Sequence, residues 1–187
     1  GSRFHTCTAW NGIPRKYLTA ERHLFYNIRV PGRAGVRSAS GQREVAVMIY
    51  KEFRGEKLSA LGFGSMRMPV VGGDYGKVDY KAAEEMVDEA MRGGVNYYDT
   101  AWGYHDGGAE PAIGTFLKRY PRKSFNLATK FPGYDLSNMG KVREIFHAQL
   151  EKCGVEYFDF YLMHNVCEMN IAAYLDEKYG TFEYLNE

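Results

Sequence analysis

Four side chains in this sequence have types and spacing that could do chemistry: Asp99, Tyr104, Lys130 and His164. A carboxylate, a phenol, an ammonium and an imidazole are the material of proton transfer and of stabilising a developing charge. Three of them close an apolar run. Asp99 follows Tyr97-Tyr98, Lys130 follows Leu127-Ala128-Thr129, and His164 follows Tyr161-Leu162-Met163, while Tyr104 lies five residues beyond Asp99 in the loop that follows it.

The elements that must deliver them read as alternating strands and helices from Met48 onward. Met48 to Phe53 and Lys57 to Leu61 flank Arg54-Gly55-Glu56 as a hairpin with glycine at its turn. Leu61-Gly62-Phe63-Gly64 reads as a short buried strand. A helix is expected from about Asp79, its N-cap, with Ala83, Met86, Val87, Ala90 and Met91 on one face and Gly93-Gly94 as its stop. Val95 to Asp99 is the next strand. Pro111 starts a second helix with Ile113, Phe116, Leu117 and Tyr120 inward, and Phe125 to Lys130 is a strand. A third helix spans about Asn138 to Cys153 on a stripe of Val142, Ile145, Phe146, Leu150 and Cys153, with His147 at a packing or surface position. Phe158 to His164 is the fourth strand, and residues 179–185 open a further helix. Units of about thirty residues imply parallel strands joined by right-handed crossovers, in a doubly wound sheet or a (β/α)8 barrel. In either case the carboxyl ends of the strands form the rim where active sites are built, so Asp99, Lys130 and His164 converge.

Tyr98-Asp99-Thr100-Ala101 with Tyr104, then Ala128-Thr129-Lys130, then Leu162-Met163-His164, resemble the aldo-keto reductase family in order and spacing. Leu61-Gly62-Phe63-Gly64-Ser65-Met66, and Glu110 through Ile113-Gly114, add to the likeness. Taken singly, each of the four chemical residues has an ordinary structural reading; the four in order carry the resemblance. It covers residues 48–187 and implies an α/β fold: the amino-terminal hairpin and first four β/α units of a (β/α)8 TIM barrel. It also implies reduction of aldehyde or ketone carbonyls to alcohols by NADPH. Tyr104 would donate the proton. A free tyrosine keeps its proton to a pH of about 10, so a Lys130 ammonium that stabilises the phenolate is what makes it a usable donor. Asp99 would hold Lys130, and His164 would bind and orient the substrate carbonyl. Gly64, Ser65, Met66 and Asp99 would lie near the cofactor, Trp102 would form a substrate wall, and His105 would be solvated.

The same resemblance leaves barrel strands five to eight unaccounted for, so the expectation is a truncated chain, inactive alone and self-associating through open barrel edges. A nucleotide-binding, redox-sensing regulatory subunit of the same fold, or a non-functional truncated product, are the alternatives. His164-Asn165-Val166-Cys167 and the start at Met48 resemble bacterial members that often end in a ferredoxin-type cysteine cluster. A 4Fe-4S group is thus expected only in a further carboxyl-terminal region, and no metal ligands are assigned in this chain.

Composition sets the outer limits. The 187 residues are 45% hydrophobic and 25% charged, without an apolar run of membrane-spanning length or a secretory signal, so a cytoplasmic protein with no membrane contact is expected. Cys7, Cys153 and Cys167 are odd in number and form no C-x-x-C pair, which argues against a disulfide framework. The net charge of +1 divides into +6 over residues 1–47 and −5 over the remainder. The basic segment has no strand or helix period and no aromatic platform, so nucleic acid is not an expected partner. Residues 1–47 read as a leader outside the family, either disordered or translated from vector or upstream sequence; purine-rich codons for Arg43-Glu44-Val45 could form a ribosome-binding sequence before Met48. A small carbonyl compound is the expected partner.

Overall fold

The computed structural model describes residues 47–186, so the expectation for residues 1–47 lies, Val47 apart, outside the described residues. The elements are β1 (Tyr50–Phe53), β2 (Glu56–Ser59), β3 (Phe63–Gly64), α1 (Tyr80–Arg92), β4 (Tyr97–Asp99), α2 (Ala109–Leu117), β5 (Asn126–Phe131), α3 (Val142–Cys153), β6 (Phe160–Met163), α4 (Ile171–Leu175) and α5 (Thr181–Asn186).

β1 and β2 pair antiparallel from Tyr50 opposite Ser59 to Phe53 opposite Glu56. Arg54 and Gly55 alone make the turn, at φ 52° and 86°. Two positive φ values give a turn whose twist matches that of the strands, so Glu56 belongs to β2 and not to the loop. The hairpin is tied to the start of β4: Ser59 N donates to Asn96 Oδ1 at 2.7 Å, and Asn96 N donates to Ser59 Oγ at 3.0 Å.

The remaining strands form one parallel sheet in the order β3-β4-β5-β6, with α1, α2 and α3 as crossovers. Asp79 caps α1 by accepting from Ala82 N at 3.1 Å, which satisfies one of the helix's free amides. Alternation along the strands then decides which side chains face which way. Asp99 stands in register with Gly64 and Ala128, so Asp99, Ala128 and, two residues on, Lys130 share one face. Tyr98, Leu127 and Thr129 share the other, where they are fully buried against the helices. Tyr98 and Leu127 join Val87, Ile113, Phe116 and Leu117 in the main core. Each such side chain contributes about 1.5–3 kcal/mol of burial. A second cluster, around Phe131, Val142, Ile145 and Tyr174, fills the space under β5, β6 and α4.

Several expectations change. Leu61 is 62% exposed and the first parallel strand shrinks to two residues, because Gly62 and Gly64 give it little apolar surface to bury. Met86 is exposed; α1 buries the narrower stripe of Ala83 and Val87, with Ala90 and Met91 partly covered. α3 starts at Val142, after a separate turn at Leu136–Asn138. Its fully buried positions include Gln149, a polar residue that an apolar stripe does not anticipate. α4 was not expected, since its five residues are too few for a helical period. Among the described residues no helix is long and apolar enough to cross a membrane.

Candidate active site

Lys130 is the penultimate residue of β5, one strand away from Asp99, and its stem bridges that gap. Nζ stands 2.6 Å from Asp99 Oδ1, 2.8 Å from the carbonyl oxygen of Thr100 and 3.2 Å from Tyr104 Oη. The ammonium therefore donates to a carboxylate, a backbone carbonyl and a phenol at once, using its three protons. It also lies 4.7 Å from the centre of the Tyr104 ring. Burial pushes the Asp99 carboxyl above its usual range, opposed by the hydrogen bond and charge of Lys130. The group that most needs a partner thus has one within a short charge-assisted bond.

His164 follows β6, and its backbone N–H donates to Phe131 O at 3.0 Å, which extends the β5–β6 ladder by one residue. Its imidazole meets the rings of Tyr104 and Tyr134 nearly at right angles, at centroid distances of 5.7 and 5.0 Å. Burial first, and then the charge of Lys130, push the pKa of His164 down to about 4. The ring is neutral at ordinary pH. Its Nδ1 is buried without a hydrogen-bond partner among protein groups.

Asp99, Tyr104, Lys130 and His164 are therefore brought together, from three consecutive strands and one loop. The other expected site residues divide. Gly64 stands beside Asp99 in the sheet with open space before its Cα, and Met66 is 47% exposed beyond it. Ser65 is fully buried, so its hydroxyl does not face the open side. Trp102 is engaged elsewhere: Lys152 Nζ lies 3.4 Å from its ring centre, and the indole packs against the second apolar cluster. The aromatic beside His164 is instead Tyr134, in the loop leaving β5. Its position after Pro132-Gly133, four residues beyond Lys130, was the available signal. His105 is 1% exposed and not solvated. Its Nδ1 pairs with Tyr75 O at 2.8 Å and its ring stacks on Tyr75 at 4.6 Å, which anchors the Tyr104 loop to the loop before α1.

A cleft of about 430 Å³ lies at the opposite end of the strands, lined by Lys57, Asn96, Arg122, Asn126, Tyr157 and Asp159. Its guanidinium is already committed. Arg122 pairs with Asp159 at 2.6 Å, donates to Tyr157 O at 2.9 Å and stacks 3.8 Å from the Tyr157 ring centre. The cleft reads as a structural lock at the amino ends of the strands, away from the rim where reactive groups gather. Among the described residues no cluster of His, Cys, Asp and Glu could hold a metal ion.

The model of the aldo/keto reductase family matches residues 60–183. A relative from Escherichia coli, an NADH-specific methylglyoxal reductase, is 30% identical over 127 residues, covering 57% of this chain and 38% of the relative. An aldo-keto reductase from Bacillus halodurans superposes with a TM-score of 0.58 at 26% identity, covering 74% of this chain and 46% of the other. One from Klebsiella pneumoniae, solved in complex with NADPH, has the same fold at 24% identity and a TM-score of 0.51, with 63% and 40% covered. The chain spans about two fifths of the length of the curated relatives it matches.

Proposed function

The chain belongs to the aldo-keto reductase family, and from that premise we propose that it carries the proton-handling residues of an oxidoreductase that reduces aldehydes or ketones to alcohols. One observation carries the reading: Lys130 Nζ touches both Asp99, at 2.6 Å, and the Tyr104 hydroxyl, at 3.2 Å. Tyr104 gives its proton to the carbonyl oxygen as negative charge develops there. Lys130 stabilises the phenolate left behind, and Asp99 holds the ammonium in place. His164, neutral, donates an N–H from Nε2 to the same carbonyl oxygen and fixes its angle. A solvent proton restores Tyr104 after each cycle.

The hydride comes from a nicotinamide dinucleotide, which we take to be NADPH as the family resemblance implies. The site fits such a flat group: Gly64 leaves the strand end open next to Asp99, and Met66 offers an exposed apolar edge. Ser65 and Trp102 have no part in this reading, and Tyr134 takes the place of Trp102 as the aromatic wall. Turnover also requires closure, because β3 and β6 each keep one edge unpaired among the described residues.

The test is hydride transfer to 4-nitrobenzaldehyde, from NADPH and from NADH because the E. coli relative is named for the latter. It uses the 187-residue chain alone and a chimaera in which residues 47–186 replace the matching segment of that relative. The chain alone is expected to show no turnover. The chimaera is expected to turn over and to lose a factor of about 10²–10⁴ on Tyr104→Phe. A chimaera whose rate ignores that substitution would refute the reading.

A further inference from the structure

We propose that Tyr174, on the short helix α4, is a positioning residue that fixes His164 relative to Lys130 by tying together the carboxyl ends of β5 and β6. The inference rests on the reading of His164 as the group that orients the carbonyl. Tyr174 is 2% exposed, and its hydroxyl lies 3.1 Å from the carbonyl oxygen of His164 and 3.4 Å from that of Phe131, the residue after Lys130. Phe131 O also accepts the backbone N–H of His164. One phenol proton is therefore shared between the backbones that deliver the two groups.

The hydroxyl, and not merely the ring, is what the arrangement needs. A phenylalanine would fill the same volume and keep the edge-on contact with Phe131, whose centroid is 6.1 Å away. A buried hydroxyl without acceptors is costly, so its presence there is tied to the two carbonyls. Burial pushes its pKa up to about 12, so it remains a donor across the neutral range. A histidine that acts through one nitrogen is ordinarily aimed by a hydrogen bond at the other. His164 Nδ1 has no such partner, so the aim of the ring falls to its backbone and to the Tyr104 and Tyr134 edges. Tyr174 holds that backbone.

The surrounding chain is shaped around the same phenol. A Cβ on Gly133 would lie 2.4 Å from Cζ and Oη of Tyr174, so the loop leaving β5 approaches this closely only because residue 133 is glycine. One turn earlier on the same segment, Asn170 accepts from Cys167 N at 2.8 Å and donates to Asn165 O at 3.0 Å. That second clamp secures Asn165, which follows His164 in a left-handed conformation at φ 53°.

The test uses the full chain with isotope-labelled histidine, the Cε1–H signal of His164 being assigned by its disappearance in His164→Asn. In the parent the flanking tyrosine rings are expected to shift this signal away from the free-imidazole position. Tyr174→Phe removes the donor, and Gly133→Ala displaces the phenol from the opposite side, so one variant suffices if the other does not fold. In either, the His164 signal is expected to move toward the free-imidazole position or to split, while that of exposed His147 stays in place. An unmoved His164 signal in a folded variant overturns the proposal. The readout needs no turnover, so its outcome is separate from that of the Tyr104→Phe assay.

Discussion

Lys130 and its neighbour Thr129 leave β5 in opposite directions and enter two polar clusters that hold their charges in different ways. On the Lys130 side the charges are matched and reachable: Lys130 and Asp99 pair at 2.6 Å with 12% and 27% of their side chains exposed. On the Thr129 side Glu110, Gln149 and Thr129 are fully buried. Glu110 Oε1 accepts from Thr129 Oγ1 at 2.8 Å and Gln149 Nε2 at 2.6 Å, and Gln149 Oε1 accepts from Tyr161 at 2.7 Å. Glu110 Oε2 has only Lys152 Nζ, at 3.7 Å. Here hydrogen bonds compensate for burial, where an ion pair does so on the opposite face. A buried network of this kind fixes one arrangement of α2, α3 and β5, whereas the paired and partly solvated face keeps groups that can exchange protons.

The contrast predicts that substitutions on the two faces damage different quantities. Lys130→Met should lower the rate of the chimaera by a factor of about 10²–10⁴ while changing the urea-unfolding free energy by about 1–2 kcal/mol, since Asp99, 27% exposed and with its pKa raised by burial, can take up a proton when its partner is lost. Glu110→Ala should do the reverse. It strands the Thr129 and Gln149 donors and opens a void, at a cost of about 3 kcal/mol or more, with the rate following only the loss of folded protein. Equal stability losses from the two substitutions would erase the distinction.

How far these faces were legible in the sequence differs in the same way. The reactive face could be read because Asp99, Lys130 and His164 each terminate an apolar run, and a strand period of two carries such residues to one rim. The sealed face could not, because Gln149 occupies a helix position whose burial depends on what lies across from it. Glu110 was noted only for its family motif; nothing local says that it meets Thr129 and Gln149. The burial of His105 and the engagement of Trp102 with Lys152 are illegible for a related reason. Both sit in a loop without periodicity, where contacts with Tyr75 and Lys152, distant in sequence, decide burial. α4 and its clamp on His164 were invisible because one and a half turns leave no amphipathic pattern.

A smaller effect sharpens the comparison through pH. Burial raises the Glu110 pKa above its usual 4.5, so the folded state binds its proton more tightly than the unfolded state does. The stability this contributes is complete below the unfolded value and is lost as pH rises through the folded one. Glu110→Gln should remove that decline. His164 acts in the opposite sense, its pKa being pushed from 6.5 down to about 4, so its contribution is complete above 6.5 and is lost as pH falls toward 4. His164→Asn should therefore flatten the acid side of the stability profile, and Glu110→Gln the side above 4.5. Urea unfolding across that range checks both, and a Glu110→Gln profile unchanged above 4.5 would mean that Glu110 is not buried as a strained acid.

The smallest effect tests whether the sealed cluster rests on hydrogen bonds or on its one ion pair. Lys152 touches both Glu110, at 3.7 Å, and the face of Trp102, at 3.4 Å, and is 29% exposed. The ammonium end is thus partly solvated and 3.7 Å from the carboxylate, so Lys152→Met, which keeps the length of the stem, should cost only about 1 kcal/mol at neutral pH. With Trp10→Phe as background, emission comes from Trp102, and it should shift when the ammonium leaves its face. Loss of the nearest cation also raises the cost of ionising Glu110, so the penalty should grow as pH rises. A loss as large as that of Glu110→Ala would instead show that the ion pair supports this face, and the two sides of β5 would then hold their charges by the same means.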